Sequence, residues 1–149
     1  MKRKLCLLLS LCCVLASATL GAACHQETTE SISANVFSCS LQSATETLVV
    51  IQIDETNSEE TVLDAMDFLK ENNQLSYEIK DGMISSINGK KNAADFSSCW
   101  MLYTTDEKMS NTAWGTVEYN GKTIASATLG AEALLVEAGE LYVWAYATF

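Results

Sequence analysis

Proline is absent from all 149 residues, and histidine occurs once, as His25. Without proline, any linker in the chain is flexible and no stiff polyproline spacer forms. Past His25 there is no imidazole for a Ser-His-Asp or Cys-His arrangement, and no histidine to ligate zinc. Basic residues are also scarce, with nine Lys and Arg against nineteen Asp and Glu and a formal net charge of −10. No Lys/Arg stripe exists to neutralise phosphates, which sets nucleic-acid binding aside. The carboxylates do not replace the missing imidazoles. Asp64 with Asp67 reads as a solvated helix face, and Glu59 with Glu60 as partners of a helix dipole. Asp54, Glu55, Asn57 and Glu59 lack the spacing and the glycine of a calcium loop. The expectation is a protein that is not an enzyme, with no catalytic residue, no metal and no cofactor.

What is present begins with Lys2-Arg3-Lys4, an apolar run from Leu5 to Leu20, and then Gly21-Ala22-Ala23-Cys24. A basic head, a short apolar segment and a small-residue exit make a secretory signal peptide over residues 1–23. A spanning helix usually needs about 20 apolar residues, and this run is interrupted by Ser10, Ser17 and Thr19. Gly-Ala-Ala-Cys resembles the lipobox of bacterial lipoproteins, which implies Cys24 as a lipid anchor. Gly21 departs from the aliphatic residue usual there. Two readings stand: lipidation at Cys24, where acyl chains worth about 0.8 kcal/mol per buried methylene hold the protein on a bilayer, or plain cleavage after Ala23. Either places the protein outside the cytoplasm, membrane-anchored in the first case and secreted in the second. The leader holds three of the nine basic residues and no acid, so the remainder has six basic against nineteen acidic residues, a net of −13. Such a balance favours solubility without naming a partner.

Of six cysteines, Cys6, Cys12 and Cys13 fall in the leader and Cys24 is the lipid site. Cys39 and Cys99 remain, and two readings are open. A disulfide would close a loop of about sixty residues and contribute on the order of 4 kcal/mol in the chain-entropy model. Alternatively each is a small buried residue by itself. Neither has the spacing of a redox or zinc motif.

Residues 24–45 are rich in Glu, Thr, Ser and Gln and read as a tether that ends in an edge strand. The folded domain is expected over 46–149. Thr47 to Ile53 is a β-branched run of strand length, and residues 54–57 make a turn. Ser58 is the expected N-cap of a helix over 59–72, with Val62, Met66 and Leu69 on its apolar stripe beside Leu63 and Ala65. Asp81-Gly82, Asn88-Gly89 and Asn120-Gly121 are hairpin turns. They separate strands predicted at 76–80, 83–88, 99–105, 114–119, 122–128 and 140–148. One helix packed across a mainly antiparallel sheet is an α+β architecture.

Four segments in order carry a family resemblance: Thr61 to Met66, Gly82 to Gly89, Ser98-Cys99-Trp100-Met101-Leu102-Tyr103, and Glu137 to Trp144. Together they resemble the transcobalamin-like C-terminal domain, the family DUF4430, over about residues 46–149. The resemblance implies a β-grasp-like fold and, from the vertebrate vitamin B12 carriers, a domain that closes over one face of a corrinoid. The chain departs from the family after Tyr103, where a longer stretch with Trp114 and the Asn120-Gly121 hairpin is inserted. The large helical domain that completes the carriers' cavity has no counterpart here, so a partner protein or second copy would have to complete a pocket. Trp114 and Tyr119 in the insertion are the leading candidates for contact with a flat ligand. Trp100 and Tyr103 join them as candidates, with core packing the competing role for Trp100. The expected function is a membrane-anchored binding module for a corrinoid or another flat small ligand. The alternative is a cell-surface protein or glycan interaction module with no small ligand.

Overall fold

The computed structural model describes residues 35–149. The stretch expected to be a signal peptide, Cys24 and the first part of the expected tether lie outside the described residues. Strand β1 (Phe37–Ala44) already occupies the second part of the stretch read as a tether. It turns through Thr45, whose Oγ1 accepts from the Leu48 amide at 3.0 Å, into β2 (Leu48–Thr56). The expected strand from Thr47 is therefore one arm of a hairpin. Isolated Val36, Phe37 and Leu41 hid the other arm, because their spacing is too sparse to show a period of two.

Helix α1 spans Val62–Glu71 and is capped by Thr61, not Ser58. Thr61 Oγ1 accepts from the Asp64 amide at 3.2 Å, and the Asp64 carboxylate accepts from the Thr61 amide at 2.7 Å. This reciprocal box satisfies two otherwise orphaned donors. Ser58 instead donates to the Glu60 carboxylate, whose pKa is lowered first by that bond. The next amides of α1, Val62 and Leu63, donate to the Leu134 and Ala131 carbonyls at 2.9 and 3.0 Å. Thr61→Ala removes the cap and is expected to cost about 1 kcal/mol of stability, measurable as a shift of the urea midpoint at unchanged slope. Val62, Ala65, Met66 and Leu69 are the buried face of the helix, as the stripe indicates.

A small sheet follows, made of β3 (Tyr77–Lys80), β4 (Met83–Ile87) and the short β5 (Lys90–Lys91). Then come β6 (Ser98–Thr104), a 3-10 turn over Glu107–Met109, β7 (Ser110–Tyr119), β8 (Lys122–Ala127) and β9 (Leu141–Thr148). The expected hairpin turns are present: Asp81, Asn88 and Asn120 all have positive φ, as do the glycines after them. That pair of conformations matches the right-handed twist of the strands on either side.

The main sheet has the order β1-β2-β9-β6-β8-β7, and all its pairings are antiparallel. The last strand in sequence thus lies inside the sheet, between β2 and β6. One face carries Val49, Ile51, Ile53, Trp100, Leu102, Tyr142 and Trp144 into a core shared with α1 and with Ile84 and Ile87 of the small sheet. The other face holds a row in which Val50 pairs with Val143 and Val143 with Tyr103, joined by Ile124. Among the described residues, no helix is long and apolar enough to cross a membrane.

Candidate functional site

Cys39 and Cys99 are free thiols. Cys39 sits opposite Ile53 on the outer strand β1, and Cys99 sits opposite Ala147 on β6. Strands β2 and β9 lie between them, and three strand steps at about 4.8 Å each exceed the reach of a disulfide. They are also offset along the strands, because Ile53 lies past the Leu141 end of β9 and Ala147 at its other end. The disulfide candidate is thus replaced by the other open reading, two separate cysteines. Cys39 is buried and donates to the Ala65 carbonyl at 3.6 Å, and burial, with help from Asp54, pushes its thiol up to about 11.

The four aromatic candidates do not form one site. Trp100 and Tyr103 are three apart on β6 and so face opposite sides of the sheet. Trp100 is buried, donates its indole N–H to the Lys90 carbonyl at 2.8 Å and meets Tyr146 edge-on at 5.4 Å. Tyr103 belongs to the cluster on the opposite face, where burial raises its phenol pKa. Trp114 is 61% exposed on β7, the outer strand of the insertion hairpin. A register shift between Asn111 and Thr116 bulges the strand there, with Gly115 at φ 121°. Tyr119 is half-buried at the far end of β7 and packs on the second cluster.

An apolar concavity lies elsewhere, in a cleft of about 370 Å³ between the main sheet and the small one. Its floor is Trp100, Leu102 and Trp144, which the β6–β9 register sets on one face, Leu102 opposite Trp144, and Cys99 also borders it. Leu63 of α1 and Ile84 of β4 close one side. The rim is formed by Ile79, Met83, Phe96 and Leu129, which are 43%, 53%, 53% and 42% exposed. Four exposed large apolar side chains around one concavity are an arrangement that scattered surface hydrophobics do not produce. Of the four aromatic candidates only Trp100 lines this cleft; Tyr103, Trp114 and Tyr119 do not. Ile79, Met83, Phe96 and Leu129 were missed because each stands beside a turn. The available signal was a large apolar residue, such as Phe96 between Asp95 and Ser97, in an otherwise polar loop.

Two polar features mark the cleft. Burial lifts the Cys99 thiol above its ordinary value, so it stays protonated and is a poor nucleophile. The Trp144 indole Nε1 is buried without a hydrogen-bond partner. The other buried aromatic donors near it are satisfied: the Trp100 indole donates to the Lys90 carbonyl, and the Tyr142 hydroxyl donates to the Leu135 carbonyl while accepting from the Glu137 amide. Among the described residues, no three His, Cys, Asp or Glu side chains are placed to hold a metal ion.

One helix over an antiparallel sheet, with an apolar cleft open between that sheet and a smaller one, defines a small α+β domain. Residues 59–125 match the family described as a domain of unknown function, DUF4430. The match covers α1, the small sheet, β6, β7 and most of β8. No curated protein and no solved structure matches the chain.

Proposed function

We propose that the protein is an extracytoplasmic, membrane-anchored binding module whose small ligand enters the apolar cleft. The observation that carries this reading is the ring of exposed Ile79, Met83, Phe96 and Leu129 around a floor of buried tryptophans. The single helix across an antiparallel sheet supports the β-grasp-like layout that the family resemblance implies. A volume of about 370 Å³ is at the lower end of small-molecule sites. A corrinoid would therefore be held along one edge or face, with a partner protein or second copy covering the rest.

The second reading, a surface protein or glycan interaction module, is favoured by a different observation: Trp114 stands exposed on an outer strand with no concavity needed. Titrating the full chain in phospholipid nanodiscs with cobalamin and with cobinamide, followed by heat and by the corrinoid spectrum, separates the two. Saturable micromolar binding supports the corrinoid reading, and its absence removes it. Trp114→Ala is expected to leave both the corrinoid affinity and the melting temperature unchanged, since Trp114 lies off the cleft. A loss of affinity in that variant would return the site to the insertion hairpin.

A further inference from the structure

Within the reading of the cleft as a small-molecule site, we infer that it takes the hydrocarbon chain of an amphiphile and leaves the head group at an acidic mouth, so that cationic amphiphiles bind in preference to anionic ones. The lining side chains supply the first half of the inference. Asn92 is already engaged, donating to the Ile84 carbonyl at 2.9 Å and accepting from the Trp100 amide at 2.9 Å. The Thr128 hydroxyl donates to the Met109 carbonyl at 3.1 Å, and the Trp100 indole donates to the Lys90 carbonyl. Trp144 Nε1 is buried, out of reach of a molecule in the cleft. A guest therefore meets the apolar surface of Leu63, Ile79, Met83, Phe96 and Leu129. A polar atom carried in among them would lose its water without gaining a partner. Such a site selects by the apolar surface it covers, which grows with every methylene of the guest.

Charge supplies the second half. No Lys, Arg or His lines the cleft, whereas the exposed Glu132 does. Two more exposed carboxylates adjoin lining residues in turns, Asp81 next to Gly82 and Asp95 next to Phe96. The cation on the same rim is Lys80, which pairs with Met83 across the β3–β4 turn. Glu78 and Lys91, which adjoin Ile79 and Asn92, offset each other in an ion pair at 3.6 Å. The carboxylates of Asp81, Asp95 and Glu132 thus outnumber the ammonium of Lys80. Neighbouring Cα atoms are about 3.8 Å apart, and charges are felt over about 8 Å at physiological ionic strength. These groups therefore act on a head group at the mouth without having to touch it.

Probes of one chain length and different charge test this directly: octyltrimethylammonium, 1-octanol and octanoate, each titrated at neutral pH into the full chain in phosphatidylcholine nanodiscs. Binding is read from the Met83 methyl resonance, assigned by its loss in Met83→Leu. It is plotted against the free probe concentration in the dialysate, so that uptake by the lipid does not enter. The cationic probe is expected to bind about tenfold more tightly than octanoate, with octanol between them. That preference should collapse in about 1 M salt, where the screening length is about 3 Å, and in Glu132→Lys, which balances the rim. Lengthening the cationic probe from hexyl to octyl is expected to tighten binding about tenfold at either salt concentration. The comparison on the unaltered protein stands whether or not the variant folds. Equal affinity for the two octyl ions, or preference for the anion, overturns the inference and leaves the cleft a binding site. Affinity that does not rise with chain length overturns it as well, and so does a preference for the cation that stands unchanged in high salt. A Met83 resonance that no probe moves overturns the inference and the cleft reading together.

Discussion

Replacing Trp100 by alanine is expected to lower the unfolding free energy by about 3–5 kcal/mol, a large share of the 5–15 kcal/mol typical of a domain. The cause is threefold. Trp100 is 5% exposed in the main core, so its removal leaves a void that the surrounding strands cannot close. Its edge-on contact with Tyr146, the residue opposite it on β9, is lost as well. Its indole also donates to the Lys90 carbonyl, and so ties the short strand β5 to the main sheet. Thermal melting should shift down by more than about 10 °C. Trp100→Phe keeps the ring and gives up the N–H bond, for an expected loss of about 1 kcal/mol. If alanine costs no more than phenylalanine, the side chain is not the keystone described here.

The Phe96→Asn variant is expected to behave in the opposite manner, with an unchanged or higher melting temperature and about tenfold weaker binding of a small aromatic probe such as naphthalene. Phe96 has φ 56°, in the left-handed region, where a bulky side chain is an outlier. Holding it there costs about 1–2 kcal/mol, and asparagine tolerates that region better. The local turn does not depend on the phenyl ring: the Phe96 amide donates to the Ala93 carbonyl, and Asp95 accepts from the Ser97 amide and hydroxyl. The ring is half exposed on the cleft rim, so removing it opens no closed cavity. Strain kept at an exposed aromatic indicates use of the ring and not of the backbone. A fall of several degrees in melting temperature would show instead that Phe96 is a packing residue.

The architecture was readable wherever a local rule decides the outcome. Two-residue turns of Asp-Gly and Asn-Gly demand positive φ at both positions, and all three hairpins follow from that chemistry. Helix α1 is readable from its stripe, but its start is not. Ser58 and Thr61 are both acceptable caps, and the choice went to Thr61 because Asp64 completes a box and Leu134 and Ala131 supply carbonyls to the next amides. Those carbonyls come from about seventy residues further on, beyond any local pattern.

The site was legible to a smaller degree, for the same reason. Trp100 belongs to a strand, and its inward direction follows from the alternation of β6, although facing the cleft does not. Trp114 drew attention as an aromatic in an insertion, yet the bulge at Gly115 leaves it on the outer edge, away from the concavity. Met83 and Leu129 come together only because the small sheet and the segment after β8 flank the same stretch of β6. The unpaired Trp144 indole is likewise a property of what surrounds it, not of its own strand, in which Tyr142, Val143 and Trp144 are buried one after another.

The position of β9 has a consequence for how the chain comes into being. Its residues Tyr142, Val143 and Trp144 are enclosed between β2 and β6, and they follow every other strand of the sheet in the chain. Until they arrive, β2 and β6 have no partner between them and the two halves of the main sheet cannot join. A chain leaving the ribosome therefore has no finished main sheet until the residues of β9 are free to pair. Pairing across so much of the sequence is also slow to form, so the closing of the main sheet is the step expected to set the folding rate.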